Sequence, residues 1–332
     1  MKTGLKAAGG LLSVTLLLGC GGGKSITEKV TFENVTAVFE VSTNDIDPSV
    51  AKEALQEAIG LFKDRLKVTR GPGNELARLN QQRGPLPIRD EFNDLLHIVV
   101  AAMTVTNGAY DPRISGLREL YGFNGLEIRE PSEDEIMDEL AKIASTKIQL
   151  LEGTNAQLTG SVALDLDRIG AAWALDEAAD LLQQRGVKSA RLSAMDISRF
   201  WGQPEPGRKW LFQLKSPLGD TLYYKIEPEE GALSIIQLDQ IQRKSGGWTA
   251  APYFSPGSGR MVDYCLGLAA WTDRAVFAAA YAEAMFVWGR RDAFVWLENH
   301  PEATVLYFSP NEFGYAAESE KRMSGWFSAY LP

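Results

Sequence analysis

Cysteine and histidine are the two residue types that this chain of 332 residues nearly lacks. It has two cysteines, Cys20 and Cys265, and two histidines, His97 and His300. Because Cys20 falls at the end of a predicted leader, a disulfide framework and a cysteine zinc site are excluded for the rest of the chain. Both histidines lie outside every motif, so a Ser-His-Asp triad or a histidine zinc centre has no support. We expect Cys265 to be a buried thiol and the histidines to be structural or surface residues.

An excess of basic residues is also missing. The chain has 43 acidic and 34 basic residues and a formal charge of -9, with no basic stripe interleaved with aromatic residues. Nucleic acid is therefore not an expected partner. Hydrophobic residues make up 45% of the chain, enough to bury the core of one large domain or two lobes. There is no internal repeat, low-complexity tract or heptad seam.

The first residues have the pattern of an export signal. Lys2 and Lys6 form a basic start, and an apolar run at 7–18 follows that is too short to span a bilayer. The ending Leu-Leu-Gly-Cys at 17–20 resembles the bacterial lipobox. It predicts a signal peptide at 1–19, a lipidated Cys20, a flexible tether at 20–27 and a folded domain at 28–332. The alternative is a generic signal peptide with a coincidental cysteine.

These features predict an exported protein, lipid-anchored in the bacterial cell envelope on the periplasmic face. Position 21 is glycine and not aspartate. If the host has two membranes, this resembles the pattern of lipoproteins that are sorted to the outer membrane. The membrane is then a partner through the lipid anchor.

The folded part alternates between helical and strand periodicity. Helices are predicted at about 48–67, 90–105, 171–184 and 273–288, with another from about 131. Strands are predicted at about 147–151, 157–158, 162–166, 191–193, 210–214, 222–226, 232–236 and 305–308, with a strand or hairpin at 29–42. The helix at 273–288 is nearly all apolar and must be buried on most sides. This pattern is typical of a mixed α+β architecture.

Four stretches carry a family resemblance. Residues 74–80 read Asn-Glu-Leu-Ala-Arg-Leu-Asn, residues 106–112 read Thr-Asn-Gly-Ala-Tyr-Asp-Pro, and residues 121–123 read Tyr-Gly-Phe. Residues 164–176 read Leu-Asp-Leu-Asp-Arg-Ile-Gly-Ala-Ala-Trp-Ala-Leu-Asp. Their order and spacing resemble the FAD:protein FMN transferases, the ApbE-like flavin transferases, over about residues 36–289. The resemblance implies an ApbE-like α+β fold of mixed strands with packed helices, in one large two-lobed domain.

The resemblance also implies a function. Enzymes of this family bind FAD with magnesium and transfer FMN, through a phosphoester bond, to a serine or threonine of a membrane redox protein, and AMP is released. It therefore implies FAD as substrate or ligand, magnesium as cofactor and a membrane redox protein as acceptor.

In the first half of the implied site, Asn80, Tyr110, Asp111 and Tyr121 correspond to cofactor-binding positions. Their aromatic rings suit packing on isoalloxazine or adenine. The alternative is structural: Gly108 makes a turn, Asp111 caps the next segment, and Tyr121 belongs to the core.

Two glycines of the family correspond here to Asp167 and Arg168, and a family lysine corresponds to Ala171. Glycines at this strand-to-helix junction let the backbone approach a diphosphate. Asp167 is instead expected to cap the helix. Arg168 is a candidate to bind phosphate bidentately, or to pair with Asp165 or Asp167, which we favour.

The magnesium ligands implied by the resemblance fall at Ala279, Glu283 and the carbonyl of Gly170. Ala279 has no ligating atom, and Glu283, four residues later on the same helix face, is a candidate for a relocated ligand. The alternative for Glu283 is a buried ion pair with an arginine. Asp196 keeps the carboxylate of a family Gly-Gly-Asp motif, and we predict it as the catalytic and cofactor-binding residue.

The last family motif carries a histidine, an aspartate and a threonine. Here Pro252, Ser255 and Ser258 stand at those positions. Two hypotheses follow from this degenerate site. The first is a flavin transferase or FAD-hydrolysing enzyme that uses Asp196 and magnesium, with Glu283 as a candidate ligand. The second is a non-catalytic lipoprotein on the same fold that binds flavin or a redox partner, or acts as a scaffold that holds part of an envelope complex together.

Overall fold

A computed structural model describes residues 25–123, 125, 127–217, 223–245, 248–311, 314–320 and 322–330. The predicted signal peptide at 1–19 and Cys20 lie outside these residues. The predicted tether at 20–27 overlaps the first strand, because Ser25, Ile26 and Thr27 pair with Ser42, Val41 and Glu40 of the second strand. The sheet therefore begins at least three residues before the predicted domain boundary.

The described residues contain sixteen strands and eight helices. The strands are β1 (Ser25–Phe32), β2 (Val35–Ser42), β3 (Leu86–Pro87), β4 (Lys147–Leu151), β5 (Asn155–Thr159), β6 (Ala190–Ala194), β7 (Ile197–Trp201), β8 (Phe212–Lys215), β9 (Tyr223–Ile226), β10 (Gly231–Gln237), β11 (Arg243–Ser245), β12 (Trp248–Ala250), β13 (Gly267–Thr272), β14 (Thr304–Asn311), β15 (Gly314–Ser319) and β16 (Phe327–Tyr330). The helices are α1 (Pro48–Leu66), α2 (Glu75–Gln81), α3 (Asp90–Val105), α4 (Ser115–Leu120), α5 (Glu133–Ser145), α6 (Asp167–Gln184), α7 (Leu238–Ile241) and α8 (Ala275–Leu297).

One large antiparallel sheet organises the molecule. Its eight strands run in the order β1-β2-β6-β7-β10-β13-β14-β15. Because side chains alternate between the two faces of a strand, each central strand serves two cores. In β10, for example, Ala232 and Ile236 point into the larger core while Leu233 points into a second one.

Helices α1, α6 and α8 cover the first face of the sheet. Both α6 and α8 are buried on most sides, as predicted for the apolar segment at 273–288. Their facing surfaces are rich in alanine, which lets two helices pack closely. The other face carries a three-stranded sheet, β16-β9-β8, over a core that includes Phe200, Trp271 and Phe308. A third cluster packs around α4 and α5. The α+β class is confirmed.

Helices with a clear start signal were predicted closely. Asp47 caps α1 by accepting from the backbone N–H of Ser49, and Ser132 forms a capping box at the start of α5. The strand prediction at 162–166 was wrong. The backbone of this segment forms hydrogen bonds with a side chain and a loop instead of with a neighbouring strand. The side chain of Asn80 binds both the N–H and the carbonyl of Leu164, and the N–H of Asp165 donates to the carbonyl of Pro112.

Helix boundaries differ in two further places. Helix α6 begins at Asp167, four residues earlier than predicted, and α8 continues to Leu297 across a bend at Gly289. Gly289 has a φ of 74°, and a Cβ there would lie 3.0 Å from the ring of Tyr264, so glycine is required at the bend. Within the residues described, no helix combines the length and apolarity needed to cross a membrane.

Asp176 joins α6 to the start of α8. Its fully buried carboxylate accepts from the backbone N–H groups of Ala275 and Val276, both at 2.9 Å. Arg199 and Arg274 flank it at 3.4 and 3.6 Å. Burial raises the pKa of Asp176 to about 6, against the opposing attraction of Arg274. Asp176 thus satisfies the free N–H groups and positive end of α8 inside the core.

Asp176→Ala should lower the free energy of unfolding by about 3–5 kcal/mol, because it leaves the largely buried Arg199 and two buried backbone N–H groups without their carboxylate partner. The control is Asp180→Ala, which removes a half-exposed carboxylate that pairs with Arg274 at 2.8 Å and should cost about 1 kcal/mol or less. Urea denaturation of both variants is the measurement. Equal losses in the two variants would contradict a special role for Asp176.

Candidate functional site

A cavity of about 650 Å³ opens where the start of α6 meets the β6–β7 turn and the end of β10. We call it the Arg168 pocket. Its lining comprises Arg118, Phe123, Asp165, Asp167, Arg168, Met195, Asp196, Ile235, Ile236, Gln237, Ile241, Arg243, Pro252 and Tyr253. Its volume is typical of small-molecule sites, and it combines apolar, aromatic and charged side chains. Asp196, the predicted catalytic residue, lies in this pocket.

The guanidinium of Arg168 is the centre of the site. Its Nε donates to Asp196 Oδ1 at 3.2 Å, and its Nη2 donates to Asp196 Oδ2 and to Ser234 Oγ, the latter at 2.9 Å. Its Nη1 donates to Glu283 Oε1 at 2.8 Å and to the carbonyl of Ala279 at 3.4 Å. One side chain on α6 therefore joins the β6–β7 turn, β10 and α8.

The surroundings hold Arg168 as a permanent cation. Burial of this side chain, which is 11% exposed, disfavours the charge. The negative charges around it, above all Asp196, nevertheless raise the pKa of Arg168 well above its ordinary value. Of the two alternatives for Glu283, the geometry matches the buried ion pair with an arginine.

The predicted pairing of Arg168 with Asp165 or Asp167 was wrong. Asp165 pairs with Arg118, and Asp167 pairs with Arg70 at 3.1 Å. The expected cap at Asp167 is also corrected: Asp167 is already the first residue of α6, and Asp165 accepts from its backbone N–H at 2.9 Å. The side chain of Arg168 points the other way, into the core side of the pocket.

Gly170, the predicted source of a metal-ligating carbonyl, lies in the first turn of α6. Its N–H donates to Leu166, and a Cβ at this position would lie 3.0 Å from Thr69 Oγ1. Glycine at this position is explained by the close approach of Thr69, which leaves little space for a larger side chain. Across the described part of the chain, no group of three or more His, Cys, Asp or Glu side chains is arranged to hold a metal ion.

Two predicted cofactor-binding residues have structural contacts. The carboxylate of Asp111 accepts from the backbone N–H of Arg113 and from its guanidinium, at 2.9, 2.8 and 2.6 Å. Asn80 holds the segment before α6 through Leu164. These contacts agree with the structural alternative, and a cofactor role for either residue stays a prediction.

The two predicted tyrosines lie in different places. Tyr121 donates from its hydroxyl to the carbonyl of Gly259 and packs on Phe254, with ring centroids 4.6 Å apart. It lines a separate cavity of about 440 Å³, which also contains Ser255 and Ser258. These three residues are therefore not brought together with Asp196.

Tyr110 lies beneath the Arg168 pocket. It lines a cavity of about 10 Å³ together with Asp165, Arg168 and Glu283. Its buried hydroxyl has no hydrogen-bond partner among the described residues. The cavity has the size of one water molecule, which would satisfy this hydroxyl.

The β6–β7 turn presents Asp196 to the pocket. Met195 adopts a φ of 56°, in the left-handed region that costs a residue with a Cβ about 1–2 kcal/mol. The turn is held in place because the carbonyl of Asp196 accepts from the N–H of Ile235 at 2.9 Å. Met195 remains 51% exposed at the pocket. The sequence predicted the carboxylate here but not this conformation.

Sequence reasoning missed four residues of the site: Arg118, Ser234, Arg243 and Tyr253. Arg118 pairs with Asp165 and also donates to the carbonyl of Pro252 at 3.4 Å. Arg243 lies over the ring of Phe123 at 5.6 Å and has no ion pair among the described residues. Arg118 lies between the motif stretches at 106–112 and 121–123, and this position could have indicated a site residue. Ser234 and Tyr253 lie in stretches that correspond to family motifs, at 233–237 and 252–259, but neither was singled out as a site residue.

These observations define a class of protein: an α+β domain with a charged small-molecule pocket at one end of a large antiparallel sheet. Comparison with known proteins gives the family. The sequence profile of the ApbE family matches residues 29–308, and this chain belongs to that family.

Known relatives and structures agree with this assignment. A FAD:protein FMN transferase of Vibrio cholerae is 24% identical over 168 residues, which is 48% of this chain and 50% of the relative. The enzyme of the same name from Haemophilus influenzae is 22% identical over 228 residues, 64% of this chain and 66% of the relative. The chain thus spans about half to two thirds of the length of these curated relatives.

Solved structures resemble the whole fold. The ApbE protein of Thermotoga maritima has a TM-score of 0.77 at 21% identity, covering 91% of this chain and 99% of that one. The flavin transferase ApbE of Vibrio cholerae has a TM-score of 0.76 at 19% identity, covering 92% and 99%. The predicted ApbE-like fold is confirmed.

Glu283→Gln should lower the free energy of unfolding by about 2 kcal/mol, because the buried guanidinium of Arg168 loses one of its two carboxylates. The matched control is Glu318→Gln, which changes an exposed pair of the same type and the same 2.8 Å length with Arg290. That control should cost about 1 kcal/mol or less. Thermal and urea unfolding give both values, and a neutral Glu283→Gln would argue against the buried ion pair.

Proposed function

We propose that this protein binds FAD in the Arg168 pocket, as a flavin-binding member of the ApbE family. The observation that carries the proposal is the lining of the pocket. Phe123 and Tyr253 offer aromatic surface, Ile235 and Ile241 offer apolar surface, and Arg243 offers a guanidinium with no ion pair among the described residues. Flavin nucleotides combine a flat apolar ring system with phosphates, so they match both parts of this lining.

The charge of the pocket favours Arg243 as the phosphate-binding residue. Arg118 and Arg168 are already paired with Asp165 and Asp196. A phosphate group near them meets carboxylates, whereas Arg243 lies on β11 and has no ion pair among the described residues. Bidentate hydrogen bonding from a guanidinium to phosphate is among the strongest polar contacts available to this site.

Transfer of FMN from FAD to a serine or threonine of a membrane redox protein is the second candidate function. Family membership and the carboxylate of Asp196 in the pocket favour it, and the relatives' name, FAD:protein FMN transferase, includes a protein acceptor. Among the described residues, the pocket lining contains no histidine or lysine side chain. The apolar, aromatic and guanidinium groups of the lining support flavin binding directly, and group transfer depends on Asp196.

Magnesium, which the family resemblance implies, does not fit the residues of this site. Ala279 has no side-chain oxygen, and both its carbonyl and Glu283 Oε1 accept from Arg168. A magnesium ion requires near-octahedral oxygen ligands that are free to face it. We therefore assign no step of the proposed function to a metal ion.

The proposed location is the cell envelope. Export by the signal at 1–19 and acylation of Cys20 would anchor the domain at 28–332 to the periplasmic face of a membrane. This position suits a protein whose proposed partner, the acceptor in the second candidate function, is a membrane redox protein.

Incubation of the purified protein with FAD, followed by separation of protein from solution, should recover intact FAD with the protein. Arg243→Gln should weaken FAD binding about tenfold or more, because a charge-assisted contact is lost. The control Arg290→Gln removes the same charge from an exposed pair outside the pocket and should leave the affinity unchanged.

Quantification of FAD, FMN and AMP in both fractions separates the candidates. Release of AMP above a protein-free sample would support transfer or hydrolysis instead of binding alone. Absence of any protein-bound flavin would contradict the proposed function.

Cys20→Ser should move the protein from the membrane fraction to the soluble fraction, because a lipid anchor requires the thiol. Mass spectrometry of the mature wild-type chain should find an acylated N-terminal Cys20. Cys265→Ser is the matched control, since that thiol is buried and its pKa is raised to about 12 by burial. A Cys20→Ser variant that stays with the membranes would contradict the lipid anchor.

A further inference from the structure

Oxygen atoms from three elements converge on the guanidinium of Arg168 at the wall of the pocket. They are both carboxylate oxygens of Asp196, the hydroxyl of Ser234, and from α8 the carbonyl of Ala279 and one carboxylate oxygen of Glu283. Hard oxygen ligands of this kind, including two carboxylates and a backbone carbonyl, are those that a divalent cation such as Mg²⁺ uses. In this chain every one of them accepts a hydrogen bond from Arg168.

We propose that the guanidinium of Arg168 is the built-in cation of this site and replaces a divalent metal ion. A guanidinium has five N–H donors in a planar fork, and Arg168 has five acceptors around it. The positive charge and the oxygen ligands are therefore matched within the chain itself. The site holds its cation from the moment that it folds and needs none from solution.

The neighbouring residues fit this arrangement. Ala279 is fully buried, and its carbonyl accepts from Nη1 of Arg168 at 3.4 Å. A divalent ion next to Arg168 would meet a fixed positive charge in a largely buried place, where repulsion is poorly screened. Burial and the pairing with both Asp196 and Glu283 also keep the guanidinium in place.

The proposal is independent of whether FAD binds, because it concerns only the oxygen ligands and Arg168. If FAD binds in this pocket, its binding needs no divalent ion. FAD affinity should then be the same in EDTA and in Mg²⁺. Loss of FAD binding in both conditions would count against the proposed function and leave the cation assignment standing.

The experiment is a titration of the flavin-free full-length protein with Mn²⁺, followed by electron paramagnetic resonance, together with thermal unfolding in Mg²⁺. The wild-type protein should bind no stoichiometric Mn²⁺, and its Tm in Mg²⁺ should equal that in NaCl of the same ionic strength. One tightly bound Mn²⁺ per chain, or a Mg²⁺-specific rise in Tm, would overturn the proposal.

The variant Arg168→Ala supplies the converse test. It leaves the two carboxylates, the hydroxyl and the carbonyl without their cation, so it should be less stable than wild type and should gain a divalent site. We expect its Tm to rise by about 5 °C at saturating Mg²⁺. A folded Arg168→Ala protein without this response would contradict the proposal.

The matched control is Arg118→Ala. It removes another arginine of the same pocket, one that pairs with the single carboxylate of Asp165. Because Arg118 contacts only Asp165 Oδ2 and the carbonyl of Pro252 among the described residues, its removal frees fewer oxygen ligands than removal of Arg168 does, and this variant should show no Mg²⁺ response. If Arg168→Ala does not fold at all, the Mn²⁺ titration of the wild-type protein still decides between the two outcomes.

Discussion

The guanidinium of Arg168 joins parts of the chain that are far apart in sequence. It extends from the first turn of α6 to the β6–β7 turn at Asp196, to Ser234 in β10, and to Glu283 in α8. Because a buried cation must keep its partners, these elements cannot shift independently of one another. The shape of the pocket above them therefore depends on this one set of ion pairs. The left-handed conformation of Met195 is tolerated within the same framework.

A second buried charge works in parallel with the first. Asp176 lies about two turns along α6 from Arg168. Asp176 binds the first turn of α8, and Arg168 binds its second and third turns at Ala279 and Glu283. The alanine-rich surfaces let the two helices pack closely but do little to fix how far one helix is shifted along the other. The two ionic contacts fix this register between α6 and α8. Packing and charge thus act at different points of the same helix pair.

The sequence predicts those parts of the fold that depend on neighbours along the chain. Asp47 before Pro48, the apolar period of α3 and the capping pattern at Ser132 are local signals, and the structure follows them closely. The segment at 162–166 has an alternating pattern too, but its backbone partners come from Asn80 and Pro112, far away in sequence. A pattern of burial alone does not distinguish such a segment from a strand.

The site was predictable to a smaller degree. Its family, the carboxylate of Asp196 and the possible ion pair of Glu283 could be predicted, because motif order and helix spacing are visible in one sequence. The partners of Arg168 could not, since they lie 28, 66, 111 and 115 residues away. Asp165 and Asp167 were nearer candidates by sequence, yet the fold gives them to Arg118 and Arg70.

The five matched contacts of Arg168 also restrict the evolutionary paths open to this protein. Loss of Arg168 alone leaves the carboxylates of Asp196 and Glu283 without a cationic partner. Loss of either carboxylate leaves the buried guanidinium with one anionic partner instead of two. Each single substitution should therefore lower stability, even where a second substitution would restore a complete set of charges. The three positions are thus coupled, and a different chemistry at this charged centre requires coordinated substitutions.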